Sequence, residues 1–226
     1  MILILRGHVR DSFDDDDLYN LVLQLALTYP IEIHIHTWNI QASNVSWRQI
    51  KQNDNPITEE RTLTYFRELS PLIKHIIIED DRNVQLTGET EGYVAGSRAP
   101  LKGWKYYWHG KYKIAEYLYD KFDPETKPVI SMRFDISTNS VGFDSNRVLE
   151  FIAQHKHDNF RMNSFITEGK YIGCDNLYIG SVTTNYLLTK QFVQNMDKIC
   201  EANRHIRNQE ILAPIINQLI IHPIVN

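Results

Sequence analysis

Cysteine is scarce in this chain: Cys174 and Cys200 are the only two in 226 residues. They form no Cys-x-x-Cys pair, and two are too few for a disulfide framework, so a small stapled scaffold is excluded and a reducing compartment is expected. Long apolar runs are lacking too. Met1 to Leu5 is far too short for a signal core or a membrane span, and the apolar stretch near the other end is interrupted by Pro223. There is no surplus of positive charge. Lys and Arg number 24 against 28 Asp and Glu, for a formal net charge of -4, which leaves no electrostatic footprint for nucleic acid. Several catalytic signatures are missing as well: no Gly-x-Ser-x-Gly elbow, no phosphate loop ending in Gly-Lys-Ser/Thr, and no His-Glu-x-x-His.

What is present is the composition of an ordinary globular protein. Hydrophobic residues make up 42% and charged residues 23%, enough to bury a sizeable core in one domain. Ile2 to Leu5 read as a buried strand. Leu18, Leu21, Val22 and Leu25 recur at helical spacing over 18–28, and Pro30 stops that helix. Ile31 to His36 alternate as a second strand. Thr58 to Leu69 read as a helix with an acidic first turn, His75 to Glu79 as a strand, and 80–103 as a long mobile loop. Trp104 to Phe122 is the longest helical candidate, followed by a strand over Pro128 to Phe134. Helices are expected over 145–155, 183–202 and 208–221, with a strand over 175–181. Strands alternating with helices predict an α/β fold: a three-layer sandwich about a mostly parallel central sheet. The whole of 1–226 is read as a single domain, with a nucleotide-binding half over 1–137 and an acceptor-side half over 138–226.

In open sheets of this kind, ligands sit outside the carboxyl ends of the strands. That rule selects three segments. Arg133-Phe134-Asp135 ends one strand with a guanidinium and a carboxylate on the same side. Asp135 suits a divalent metal or a ribose hydroxyl, and Arg133 suits a phosphate; a plain Arg–Asp ion pair is the alternative. Arg6-Gly7-His8-Val9-Arg10 ends the first strand and suits a nucleotide, or is a solvated turn. His36 lies nearer its strand end than His34, which reads as a core histidine. At the start of the long helix, Trp104, Trp108 and Lys111 share a face that would either stack on a base or sugar or belong to the core. Asp175 and Glu210 are the candidate proton acceptors; a turn aspartate and a helix-start acid are the alternatives.

The segments Leu3 to Arg10, Ile33 to Asn39, Trp104 to Tyr119, Val129 to Ile136 and Asp175 to Ser181 together resemble the bacterial and viral glycosyltransferase-like proteins related to the WavE lipopolysaccharide-synthesis family. The resemblance implies a GT-A-like nucleotide-sugar-binding fold. It implies transfer of a sugar from a nucleotide-sugar donor to a hydroxyl of a glycan or lipid-linked acceptor, in polysaccharide biosynthesis. On this reading Arg6, Gly7, His8, Arg10, Trp38, Trp104, Lys111, Arg133 and Asp135 bind the donor. Asp175, then Glu210, serves as the base. The family's Asp-x-Asp metal motif is matched only by Arg133-Phe134-Asp135, so Asp135 alone would hold a divalent cation such as manganese or magnesium, and Arg133 would take over part of its work. A cytoplasmic protein follows, peripheral to the membrane where the acceptor is lipid-linked, with no nucleic-acid partner. A sugar nucleotidyltransferase and a non-catalytic glycan- or nucleotide-binding module are the alternatives.

Overall fold

The computed structural model describes residues 1–45, 50–122, 127–139, 143–165 and 176–221. Six strands form one sheet: β1 (Ile2–Arg6), β2 (Glu32–Trp38), β5 (Ile73–Glu79), β6 (Pro128–Arg133), β7 (Asn163–Ser164) and β8 (Leu177–Ser181). Their order is β5-β2-β1-β6-β8-β7. The four strands β5, β2, β1 and β6 run parallel, and β8 runs antiparallel to both β6 and β7. The sheet is therefore mixed. β1 is apolar and buried on both faces over Ile2 to Leu5, as a central parallel strand requires, whereas β2 buries His34 and His36 on one face. A separate polar hairpin, β3 (Ile40–Ala42) with β4 (Asn53–Pro56), follows β2.

Alternation along β1 divides the core. Leu3 and Leu5 face a layer built on α1 (Asp17–Thr28), α2 (Glu59–Phe66), α4 (Ile136–Asn139) and α5 (Ser145–His155). Ile2 and Ile4 face the other way, with Ile114 and Leu118 of α3 (Leu101–Lys121) and Val182 of α6 (Val182–Ala202). That second layer also buries Trp108, Phe192 and Leu212, the last from α7 (Leu212–Ile221). The result is the expected sandwich of helices, sheet and helices. No helix among the described residues is long and apolar enough to cross a membrane.

Local chemistry sets the boundaries. Thr58 caps α2 by accepting from the Arg61 amide at 3.1 Å, and Ser181 and Thr184 form a reciprocal capping box at the start of α6. The expected helix over 58–69 ends sooner, at Phe66, and tightens into a 3-10 segment over Arg67–Leu72 that contains Pro71. The last helix begins at Leu212 rather than at 208, after a short turn capped by Asn208. Residues 80–103 are not an open loop. Val94 is fully buried, Tyr93 bridges Pro100, and the Gly96 amide donates to the Ile206 carbonyl at 2.9 Å.

Candidate functional site

β1 is the strand at which the connectivity reverses: its successor β2 lies on one side and β6 on the other. A crevice opens at such a switch point, outside the carboxyl ends of the strands. Here Arg6 closes β1 and Arg133 closes β6, and the two are register partners. Both line a cleft of about 900 Å³, its open mouth included. The turn after β1 adds Gly7, His8 and Arg10, and the end of β2 adds Trp38. The rest of the lining includes Asp81, Trp104, Tyr106 and Tyr107 at the start of α3, and Glu210 in the turn before α7.

The inner wall is held by specific contacts. Arg6 is 2% exposed; its Nε donates to Ser131 Oγ at 3.0 Å and its guanidinium lies 4.8 Å from the Tyr107 ring centre. Gly7 takes φ +91°, which glycine tolerates without strain, and its amide donates to the His36 carbonyl at 3.1 Å. Arg10 also has positive φ, +53°, where a side chain costs about 1 kcal/mol or more. Gln41 enforces it: the Arg10 amide donates to the Gln41 carbonyl at 2.8 Å, and Gln41 Nε2 donates to the Arg10 carbonyl at 2.6 Å.

Behind this wall lies Asp135, 1% exposed. Arg133 donates through Nε to Asp135 Oδ1 at 2.7 Å and through Nη2 to Oδ2 at 2.9 Å, and Arg10 Nη1 donates to Oδ2. Burial by itself would raise the carboxyl pKa; the guanidinium of Arg133, then that of Arg10, more than offsets this and keeps it ionised. A divalent cation needs oxygen lone pairs pointing at it. Both oxygens of Asp135 already accept from guanidinium, and among the described residues no three His, Cys, Asp or Glu side chains come together to hold a metal. This carboxylate does not fit the metal role that the sequence suggested for it.

His8 lines the cleft with its Nε2 buried and unbonded. Burial, and next the charges of Arg10 and Arg133, push its pKa down to about 3, so the imidazole is neutral at physiological pH. Trp38 sits among rings: His8 at 5.9 Å, His36 at 5.2 Å and Tyr106 at 5.5 Å between centres. His36 does not reach the cleft. Its Nε2 donates to Glu79 Oε2 at 2.7 Å, and His109 Nε2 donates to the same oxygen at 3.0 Å. Burial opposes the charge on Glu79, but the His109 and His36 hydrogen bonds hold its pKa far below the usual carboxylate range.

The aromatic–basic stripe of α3 divides. Trp104 and Tyr107 stack 4.9 Å apart and line the cleft, whereas Trp108 stacks on Phe192 at 3.7 Å inside the core. Lys111 is no wall residue. It is 2% exposed, with Nζ 3.7 Å from the Tyr178 ring centre and 4.1 Å from that of Trp108. Unlike Arg6, it is not among the residues that line the cleft. Of the two candidate bases, Glu210 lines the cleft and Asp175 lies outside the described residues. Asp81, Tyr106 and Tyr107 belong to the cleft and were not singled out from the sequence. Only the position of Asp81, two residues past a strand that ends on the same edge as Trp38, could have drawn notice. The chain matches no protein-family model and no curated protein.

Proposed function

We propose that the protein is a glycosyltransferase that binds a nucleotide-sugar donor in the cleft at the β1/β6 switch point. One observation carries this reading. Three arginines, Arg6, Arg10 and Arg133, line one cleft together with aromatic rings and two carboxylates. Guanidinium forks match phosphate oxygens, and indole and phenol faces match a base or a sugar ring. The mixed sheet, with its parallel β5-β2-β1-β6 run, is compatible with a GT-A-like fold.

The chain's own groups suffice for the central step. As the sugar carbon–oxygen bond to the diphosphate breaks, its electron pair goes to the diphosphate, where the guanidiniums stabilise the growing charge. The acceptor hydroxyl oxygen bonds the sugar carbon and gives its proton to a carboxylate. We assign this role to Glu210, a carboxylate that lines the cleft. His8, neutral, offers the donor a hydrogen bond without adding charge.

The test is a thermal-shift screen with UDP, GDP, CMP and dTDP. A ligand at about 100 times its Kd adds roughly 2.7 kcal/mol of stability, enough to raise Tm by several degrees. A rise with one nucleotide names the donor class. No rise with any of them sinks the reading and leaves a glycan-binding module as the better one. Once the donor is known, Glu210→Gln should cut turnover about 100-fold or more while leaving donor affinity within about twofold. An unchanged rate would remove Glu210 as the base.

A further inference from the structure

We infer that the cleft holds a diphosphate with guanidinium groups alone, and that Asp135 is a fixed internal counter-ion to those groups instead of a ligand for a divalent cation. This rests on the nucleotide-sugar reading of the same cleft and goes beyond it by assigning how the charged part of the donor is held.

The geometry has a direction. Arg6, Arg10 and Arg133 line the cleft; Asp135 does not. The carboxylate sits behind Arg10 and Arg133, on the side of a second, shallower hollow that Asp11 and Asp14 also line. An anion in the cleft therefore has guanidinium, and not Asp135, at its lining. A cation approaching Asp135 from the cleft must pass two like charges, whose side chains are only 17% and 16% exposed. From the other hollow it would find carboxylate oxygens already accepting three hydrogen bonds from the two arginines. Asp11 and Asp14 do not complete a metal site with it, since no such group of three exists among the described residues.

Asp135 has a use in this arrangement. It fixes both forks before the ligand arrives, so less side-chain freedom is lost when phosphate binds. Arg6 is fixed independently by Ser131 and by the Tyr107 ring. Carboxylates do face the cleft, but from other elements: Asp81 after β5 and Glu210 before α7.

The experiment is calorimetric titration of inorganic pyrophosphate into the full chain, once with EDTA and once with excess manganese, and of UDP, GDP, CMP and dTDP in the same two buffers. Pyrophosphate should bind in EDTA with a Kd within about threefold of that in manganese. Arg10→Gln and Arg133→Gln should each weaken it about tenfold or more, the usual loss for a charge-assisted hydrogen bond. Asp135→Asn, if it folds by circular dichroism, should still bind pyrophosphate in EDTA. Binding of pyrophosphate only with manganese would overturn the inference, and so would unchanged affinity in the two arginine variants. Should Asp135→Asn not fold, the EDTA comparison and the arginine variants decide alone. Pyrophosphate binding in EDTA while no nucleotide binds keeps the metal-free wall and removes the nucleotide-sugar reading. A nucleotide that binds only with manganese does the reverse. Silence from every ligand in both buffers removes both.

Discussion

His34 is a titratable ring sealed inside the sheet, with only the Glu32 carboxylate, 4.0 Å from Nε2, to favour its charge. It is fully buried, neither ring nitrogen is hydrogen-bonded, and the rings of Tyr117 and Phe122 lie 6.0 Å away. Burial lowers its pKa from 6.5 to about 4. The sign of the consequence is fixed by linkage. Below pH 6.5 the unfolded chain takes up a proton that the folded chain refuses until about pH 4, so stability present at pH 7 is lost as the pH falls through that window. The loss from this one ring between pH 7 and pH 5 is on the order of 1–2 kcal/mol. Urea midpoints at the two pH values should show it, and His34→Phe should show a correspondingly smaller drop; an identical drop in the variant would assign the effect elsewhere, to His8 first. That His34 would be a core histidine was legible from its place inside an alternating strand. The pairing of Asp135 with Arg133 was legible as the plain ion-pair alternative, but its second partner was not, because Arg10 is 125 residues away in sequence. Lys111 was misread for a related reason. Helical spacing put it on a face with Trp104 and Trp108, but Tyr178, which helps bury it, comes from a distant strand.

Among the elements, α3 approaches the sheet most tightly at Gly110. A β-carbon there would lie 2.6 Å from His36 Cε1 and Nδ1. The ring cannot retreat, since Glu79 holds its other side. Replacing an interior helix glycine by alanine ordinarily gains up to about 1 kcal/mol. Gly110→Ala should instead lose about 2 kcal/mol, the cost of overpacking, read from chemical denaturation. A gain would mean that α3 can shift without penalty. The strong elements β1, β2, β6 and α3 were readable because apolar period and length agree in each. The hairpin was not. Asn53-Asp54-Asn55-Pro56 has no β-branched or aromatic residue, and its pairing with β3 comes from tertiary position instead of propensity. Likewise β7 has only two residues, too few to carry a pattern.

At the scale of the whole molecule, the class of fold was legible and the sense of β8 was not. A run such as Leu177 to Ser181 reads equally well in either direction; only its neighbours β6 and β7 fix it as antiparallel. The cleft was legible in outline, because a rule of position applied to β1, β2 and β6 picks out their final residues without knowledge of any contact. What the rule could not supply was the rest of the lining, which depends on how 80–103 and 208–211 fold back over the edge.

The strand β1, which precedes its sheet partners in the chain, is also one of the most enclosed. During synthesis β1 can pair with β2 early, but its other edge waits for Pro128–Arg133. Until then a nascent chain carries an open apolar edge of the kind that recruits other chains. Ribosome-bound or truncated forms ending before β6 should therefore need a chaperone's cover, and Arg6 and Arg133, side by side in the finished ladder, cannot meet until that edge has closed.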